Sequence, residues 1–159
     1  MLKIRPFQWS DAEALNSRLD DSTVTKYLPV GPKPLEETIE YFAEVMREGG
    51  IVLVAEQDGR VAGSVEIQKG KRKAAHVGTI GIALKKEFWG KRIGTKLMKE
   101  GIRLAKEDGL KKVKAPVYAP NKRSINLLKD LGFKLAGRLK KEAKIGNKYH
   151  DELIFEKLL

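Results

Sequence analysis

The sequence contains no cysteine, which excludes disulfides, thiolate nucleophiles and cysteine-ligated zinc together. Its two histidines, His76 and His150, lie far apart with no second histidine at ligand spacing, so no metal site is expected. Long apolar runs are missing as well. Ile51–Ala55 is typical of those present, far short of the roughly 20 residues that span a bilayer. The opening Met1-Leu-Lys-Ile-Arg-Pro6 carries no apolar signal core, and with the missing cysteine this sets the expectation of a cytoplasmic protein without a membrane partner. Amides are scarce, with four Asn and three Gln beside abundant Lys and Glu, a composition resembling heat adaptation. What remains is 42% hydrophobic and 33% charged over 159 residues. That is enough apolar material for one folded domain and too little chain for two, so residues 1–159 are read as a single unit.

Charge is unevenly placed. Residues 1–80 hold 11 Lys and Arg against 12 Asp and Glu, a net of −1, whereas residues 81–159 hold 21 against 9, a net of +12. The basic half should attract anions: nucleic acid, a phosphorylated cofactor or an acidic partner.

The order of elements follows from periodicity and punctuation. Leu2–Arg5 reads as a strand, and Ser10 with Glu13 as a capping box opening a helix to about Asp20. After Pro34, Leu35, Ile39, Phe42 and Val45 recur at helical spacing until Gly49-Gly50. Ile51–Glu56 and Arg60–Gln68 form a hairpin across Asp58-Gly59, and His76–Leu84 adds a third antiparallel strand. From Gly90 the period changes: Ile93, Leu97, Met98, Ile102 and Ala105 share a helical face up to Gly109, and Val113, Ala115 and Val117 mark a strand. Strand, helix and strand at this length require a parallel crossover. Asn121 caps a helix carrying Ile125, Leu128 and Leu131, and strands over 133–140 and 149–158 close the chain around Gly146-Asn147.

The segment from Ile82 to Thr95 is the most informative. A strand runs through a loop holding Gly90 and Gly94 directly into a helix, so free amides and the positive helix end face one small volume suited to phosphate. The spacing fits neither the nucleotide-hydrolase loop G-x-x-x-x-G-K nor the dinucleotide turn G-x-G-x-x-G.

This segment resembles the pyrophosphate loop of the GCN5-related N-acetyltransferases (GNAT), whose pattern is Gln or Arg, two residues, Gly, one residue, then Gly or Ala. Trp89 falls at the first place, Arg92 at the second and Gly94 at the third. Trp followed by Gly is closest to the ribosomal-protein and diamine acetyltransferase branch. Further likenesses are Val54–Gly63 to the family's second hairpin, Val117–Asn121 to its fifth strand, Ser124–Phe133 to the following helix, and Gly137 to Asp151 to its closing hairpin. The resemblance implies a mixed α/β fold of the α+β kind, an antiparallel meander followed by a splayed parallel strand pair flanked by helices. It implies acetyl-CoA as co-substrate, held by Ile82, Ala83 and Leu84 along the pantetheine arm and by Trp89, Gly90, Lys91, Arg92, Ile93, Gly94 and Thr95 at the pyrophosphate, with Asn121 and Ser124 beside them. Pro116 would support the splay, since proline lacks a ladder donor; an ordinary edge position or bulge is the alternative. A positive φ at Arg92 would cost roughly 1–2 kcal/mol, offset if the side chain pairs with phosphate.

Acetyl transfer needs a neutral amine and an acid for the departing thiolate. The tyrosine that the family often supplies after Asn121 is replaced by Leu127-Leu128. Candidate catalytic groups are Glu66, reaching the acceptor amine through water, and Tyr118, at the end of the splayed strand. The ordinary readings are a solvated strand-face carboxylate and a rim tyrosine. His76 and the Tyr149-His150-Asp151 group are further candidates. The expected function is transfer of acetyl to a primary amine of a small molecule or protein N-terminus. The alternatives are an acetyl-CoA sensor without turnover, prompted by Arg92 and the missing tyrosine, and a nucleic-acid-binding domain along Lys85, Lys86, Lys91, Arg92 and Lys96 and along Lys111, Lys112, Lys114, Lys122 and Arg123, which lacks interleaved aromatics. The net charge disfavours polyamines as acceptors, and the resemblance further implies dimerisation through the closing strands.

Overall fold

A computed structural model describes residues 1–159. In chain order the elements are β1 (Leu2–Pro6), α1 (Ala12–Ser17), α2 (Ser22–Thr25), α3 (Leu35–Arg47), β2 (Ile51–Gln57), β3 (Arg60–Lys69), β4 (Val77–Leu84), α4 (Ile93–Glu107), β5 (Lys112–Tyr118), α5 (Lys122–Asp130), β6 (Lys134–Ile145) and β7 (Lys148–Leu158). The strands form one seven-stranded sheet in the order β1-β2-β3-β4-β5-β7-β6, antiparallel except between β4 and β5. This is the mixed α/β arrangement expected from the sequence.

Three local expectations are corrected. Ser10 and Glu13 form no capping box. Asp11 takes the role instead, accepting from Gln8 N at 2.8 Å and from both Arg5 Nη atoms at 2.8 Å. A buried carboxylate with an arginine fork outcompetes an exposed serine for the same helix end. The helix expected to reach Asp20 breaks into α1 and a 3-10 turn over Arg18–Asp20, and Asp21 then caps α2 by accepting from Thr23 N at 2.8 Å. The closing hairpin also runs past Lys140. Lys141 adopts φ +53° in a bulge and donates its N–H to Asp151 at 2.9 Å, which carries β6 on to Ile145.

Alternation along the strands divides the core between two faces. On one, Val52 and Val54 meet Leu15 of α1 and Phe42 and Val45 of α3. On the other, Val65, Ile67, Val113, Ala115 and Val117 meet Leu97 and Met98 of α4 and Ile125 and Leu128 of α5.

The parallel pair is short. β4 and β5 are in register only from Val77↔Lys112 to Thr79↔Lys114, while β5 stays paired with β7 out to Tyr118↔Glu152. Ala119 N donates to Asp151 O on the β7 side, so alternation turns the even residues of β5 toward β4. In a parallel ladder of this register the next rung would join Pro116 N to Ile80 O. Proline has no N–H to supply it, and the strands part there.

Candidate active site

The two sides of the parted strands carry different chemistry. On the α4 side, Gly90 and Arg92 take φ of +75° and +60°, which turns the chain sharply out of the loop after β4. The amides of residues 90–95 donate to no protein group; the first bond of the helix is Lys96 N to Arg92 O at 3.2 Å. Six unpaired N–H groups at the positive end of a 15-residue helix make a preformed cradle for an anion. Arg92 is exposed and forms no ion pair, so its charge is available beside the amides that its strained backbone positions.

The cradle opens into a groove of about 690 Å³ between β4 and α5, whose lining includes Lys26, Arg92, Lys122 and Arg123. The Arg123 guanidinium stacks 3.9 Å from the Trp89 ring centroid. Trp89 Nε1 in turn donates to Leu84 O at 3.1 Å. Leu84 O therefore has a partner already, and Ile82 lies beyond the last rung of the β4–β5 ladder, Thr79↔Lys114. A Cβ on Gly94 would lie 3.5 Å from Leu84 Cδ1, 3.6 Å from Ile82 Cδ1 and 3.8 Å from Leu127 Cδ2. The glycine keeps the groove open where an arm would pass between these three side chains. Asn121 and Ser124 stand on its other wall, with Asn121 Oδ1 capping α5 through Ser124 N at 3.3 Å.

Through the gap the groove adjoins a smaller cavity of about 200 Å³, bounded by Tyr27, Tyr41, Glu66, Tyr118 and Glu152. Glu66 is not a solvated strand-face carboxylate: it is 7% exposed. Its Oε1 accepts from Ser64 Oγ and lies 3.7 Å from Arg18 Nη2. Arg18 Nη1 donates to Ser64 Oγ at 2.7 Å and to Ala83 O at 2.9 Å. Burial works against the charge of Arg18, and Glu66 beside it works the other way. The only buried side-chain polar atom without a partner is Arg18 Nε, and no protein group donates to Glu66 Oε2, so that oxygen is open to the cavity. Burial, with Glu66 adding to it, pushes the Tyr41 hydroxyl up to about 12, and Tyr41 accepts from Gln68 Nε2 at 3.0 Å.

Tyr118 and Glu152 are directly opposed across β5 and β7 and project from one face. Burial, then Glu152 and Glu142, raise the Tyr118 hydroxyl above its ordinary value, so it is a proton donor at neutral pH. Leu127 and Leu128 close the opposite wall with carbon alone. His76 is exposed and His150 half-buried, and neither lines the groove or the cavity. The sequence reading missed Arg18, Ser64, Tyr27, Tyr41 and Glu152. One signal was available: Arg18 follows Leu15 by three residues and so falls on the apolar face of its helix.

A sheet parted over a helix-start anion cradle, with a buried carboxylate beyond the gap, is the framework of an acyltransferase. The family model of the acetyltransferase (GNAT) domain matches residues 1–134, and the chain belongs to that family. It is an N-acetyltransferase, and acetyl-CoA is the co-substrate of the family. The fold superposes on a ribosomal-protein-alanine N-acetyltransferase from Brucella melitensis with a TM-score of 0.90 at 27% identity, covering 99% of each chain. A phosphinothricin acetyltransferase from Sinorhizobium meliloti in complex with acetyl-CoA superposes at 0.88 with 22% identity over 99% of this chain and 88% of that one. YncA from Salmonella typhimurium, also with acetyl-CoA, superposes at 0.90 with 19% identity over 99% and 94%. The last two likenesses are of fold. Among curated proteins no sequence matches significantly.

Proposed function

We propose that the protein transfers the acetyl group of acetyl-CoA to a primary amine that enters the cavity from the side of Glu66. The observation carrying this reading is the placement of two unsatisfied groups on opposite sides of one gap: the amides of residues 90–95 and Glu66 Oε2. Lys91, Arg92, Ile93, Gly94 and Thr95 hold the pyrophosphate through backbone amides, with Arg92 adding a charge-assisted contact. Trp89 and Gly90 shape the loop. Ile82, followed by Ala83 and Leu84, offers its backbone to the pantetheine arm, and Asn121 and Ser124 flank that arm at the start of α5. When bound, the co-substrate supplies the activated acetyl carbonyl.

An alkyl ammonium has a pKa near 10.4 and must lose a proton before it can attack. Glu66 Oε2 takes that proton, directly or through water, while Ser64 and Arg18 hold Oε1 and fix the orientation of the carboxylate. Tyr118 lies across the gap with its proton retained and is placed to protonate the departing thiolate. Glu66 and Tyr118 are thus assigned as base and acid. The test is release of free CoA thiol from acetyl-CoA with and without amines, alongside calorimetric binding of acetyl-CoA. Amine-dependent release supports transfer, and binding without release supports a sensor.

A further inference from the structure

The charge of the acceptor cavity opposes that of the protein around it. The chain carries 32 Lys and Arg against 21 Asp and Glu. Yet among the 20 residues lining the cavity none is Lys, Arg or His, while two are Glu and three are Tyr. The two glutamates come from distant strands. Glu66 rises from β3 opposite Gly81, a position with no side chain to cover it, and Glu152 rises from β7 opposite Tyr118. Glu142 lies near enough to act on Glu152 as a like charge, and neither has an ion-pair partner. Of the two cavity glutamates, Glu66 is ion-paired with the buried Arg18, which lies 3.7 Å behind it and does not line the cavity, whereas Glu152 is unpaired.

Resting on the acetyl-transfer reading, we propose that the acceptor is a cationic amine with no carboxylate beside it, and that Glu152 is a specificity-determining residue for it. The class comprises the α-amine of a polypeptide and a simple alkyl amine. A free α-amino acid carries its carboxylate one carbon from the amine. With that amine at Glu66, the carboxylate would enter a cavity whose lining offers no Lys, Arg or His and where Glu152 is a carboxylate without an ion-pair partner. Like-charge juxtaposition of this kind is a device of exclusion. Burial first, and then Glu142, raise the Glu152 carboxyl above its ordinary value, as expected for an acid with no cation opposite it. The positive net charge of the whole chain therefore does not disfavour a cationic acceptor, because the cavity has the opposite sign.

The experiment compares kcat/KM for three acceptors at fixed acetyl-CoA: an alanyl tripeptide amide, a four-carbon alkyl diamine and free alanine. It uses the wild-type chain, Glu152→Gln and Glu152→Lys, with thermal melts to verify folding and calorimetry to follow acetyl-CoA binding. The expected result is a preference of about tenfold or more for the peptide amide or the diamine over alanine. Glu152→Gln shrinks that preference, Glu152→Lys abolishes or inverts it, and acetyl-CoA affinity stays unchanged in both. Which of the first two acceptors is better identifies the source of the amine. Equal or better use of alanine by the wild-type chain overturns the inference and leaves acetyl transfer standing, as does a preference unmoved by either variant. Acetyl-CoA binding with no turnover of any amine overturns the transfer reading and this inference together.

Discussion

Pro116 stands where the ladder between β4 and β5 would next reach Ile80, and it has no N–H to make that bond. The opening that joins the donor groove to the acceptor cavity is therefore written into one side chain. Replacing Pro116 by Val restores the donor. The expected outcome is a gain of about 0.5–1.5 kcal/mol from one added rung, amide-exchange protection at residue 116 and weaker acetyl-CoA binding. Unchanged affinity with a new protected amide would separate the splay from the binding site.

Arg92 holds a left-handed conformation at the N-terminus of α4, with φ +60° and ψ 13°. Arg92→Gly removes a conformational cost of about 1–2 kcal/mol and should raise thermal stability. The same change removes a charge from the cradle, so acetyl-CoA binding should weaken and lose part of its salt dependence. Arg92→Ala loses the charge and retains the strain. Equal affinity in both variants, below that of the wild-type chain, assigns the effect to the side chain. Calorimetry at two salt concentrations makes the comparison.

Arg18 and Glu66 divide stability from chemistry. Arg18→Met leaves a buried carboxylate facing Ser64 alone, and breaking such a pair costs about 3–5 kcal/mol. Glu66→Gln is near-isosteric, preserves the acceptor for Ser64 and removes the base; it also removes the counter-charge of buried Arg18 and so lowers stability as well. It should lower kcat by about 10²-fold or more, the usual scale of general base catalysis, with acetyl-CoA affinity intact. A kcat unchanged in folded Glu66→Gln, whatever its loss of melting temperature, would reassign the residue to structure.

Tyr118→Phe and Gly94→Val should differ in kind. The first removes a proton donor at a site open to water, where solvent can also protonate a thiolate, and a modest fall in kcat with unchanged binding is expected. The second places a branched side chain between Ile82, Leu84 and Leu127 and should abolish acetyl-CoA binding. A loss in kcat beyond about 10³-fold for Tyr118→Phe would make the tyrosine indispensable.

Asp11 predicts part of the acid sensitivity. Burial works to raise its carboxyl, but the Arg5 and Gln8 bonds outweigh it and hold the group below the usual carboxylate range. A folded-state pKa below the unfolded value, about 3.9, contributes stability at neutral pH that is lost as pH falls through the folded value. The melting temperatures of wild type and Asp11→Asn should differ at pH 7 and converge in acid. A gap independent of pH contradicts this.

Local signals made most of the fold legible. Asp58-Gly59 takes φ of +51° and +78° in the hairpin turn expected of that pair, Gly49 ends α3 at φ +78°, and the change of period after Gly90 marks α4. The splay is implied by the family resemblance, and Pro116 is open to two readings, its support or an ordinary edge or bulge position; the ladder that ends at Thr79↔Lys114 agrees with the first. What escaped depends on pairs distant along the chain. Arg18 meets Ser64 and Glu66 across 46 and 48 positions, so a carboxylate on an alternating strand read as solvated when a buried arginine lay above it. Glu152 escaped because summed charge is a property of the whole chain, whereas a cavity is governed by the few groups lining it. Ser10 and Asp11 compete for one helix end, and the choice between them rests on Arg5 from β1.

The most direct test of the account follows thiol release from acetyl-CoA by the wild-type chain and Glu66→Gln, with and without an amine acceptor, together with acetyl-CoA binding by each. Both proteins should bind acetyl-CoA equally, with thiol release that requires the amine and falls by about 10²-fold or more in Glu66→Gln. Equal release by the two proteins, or binding without amine-dependent release in the wild-type chain, would contradict it.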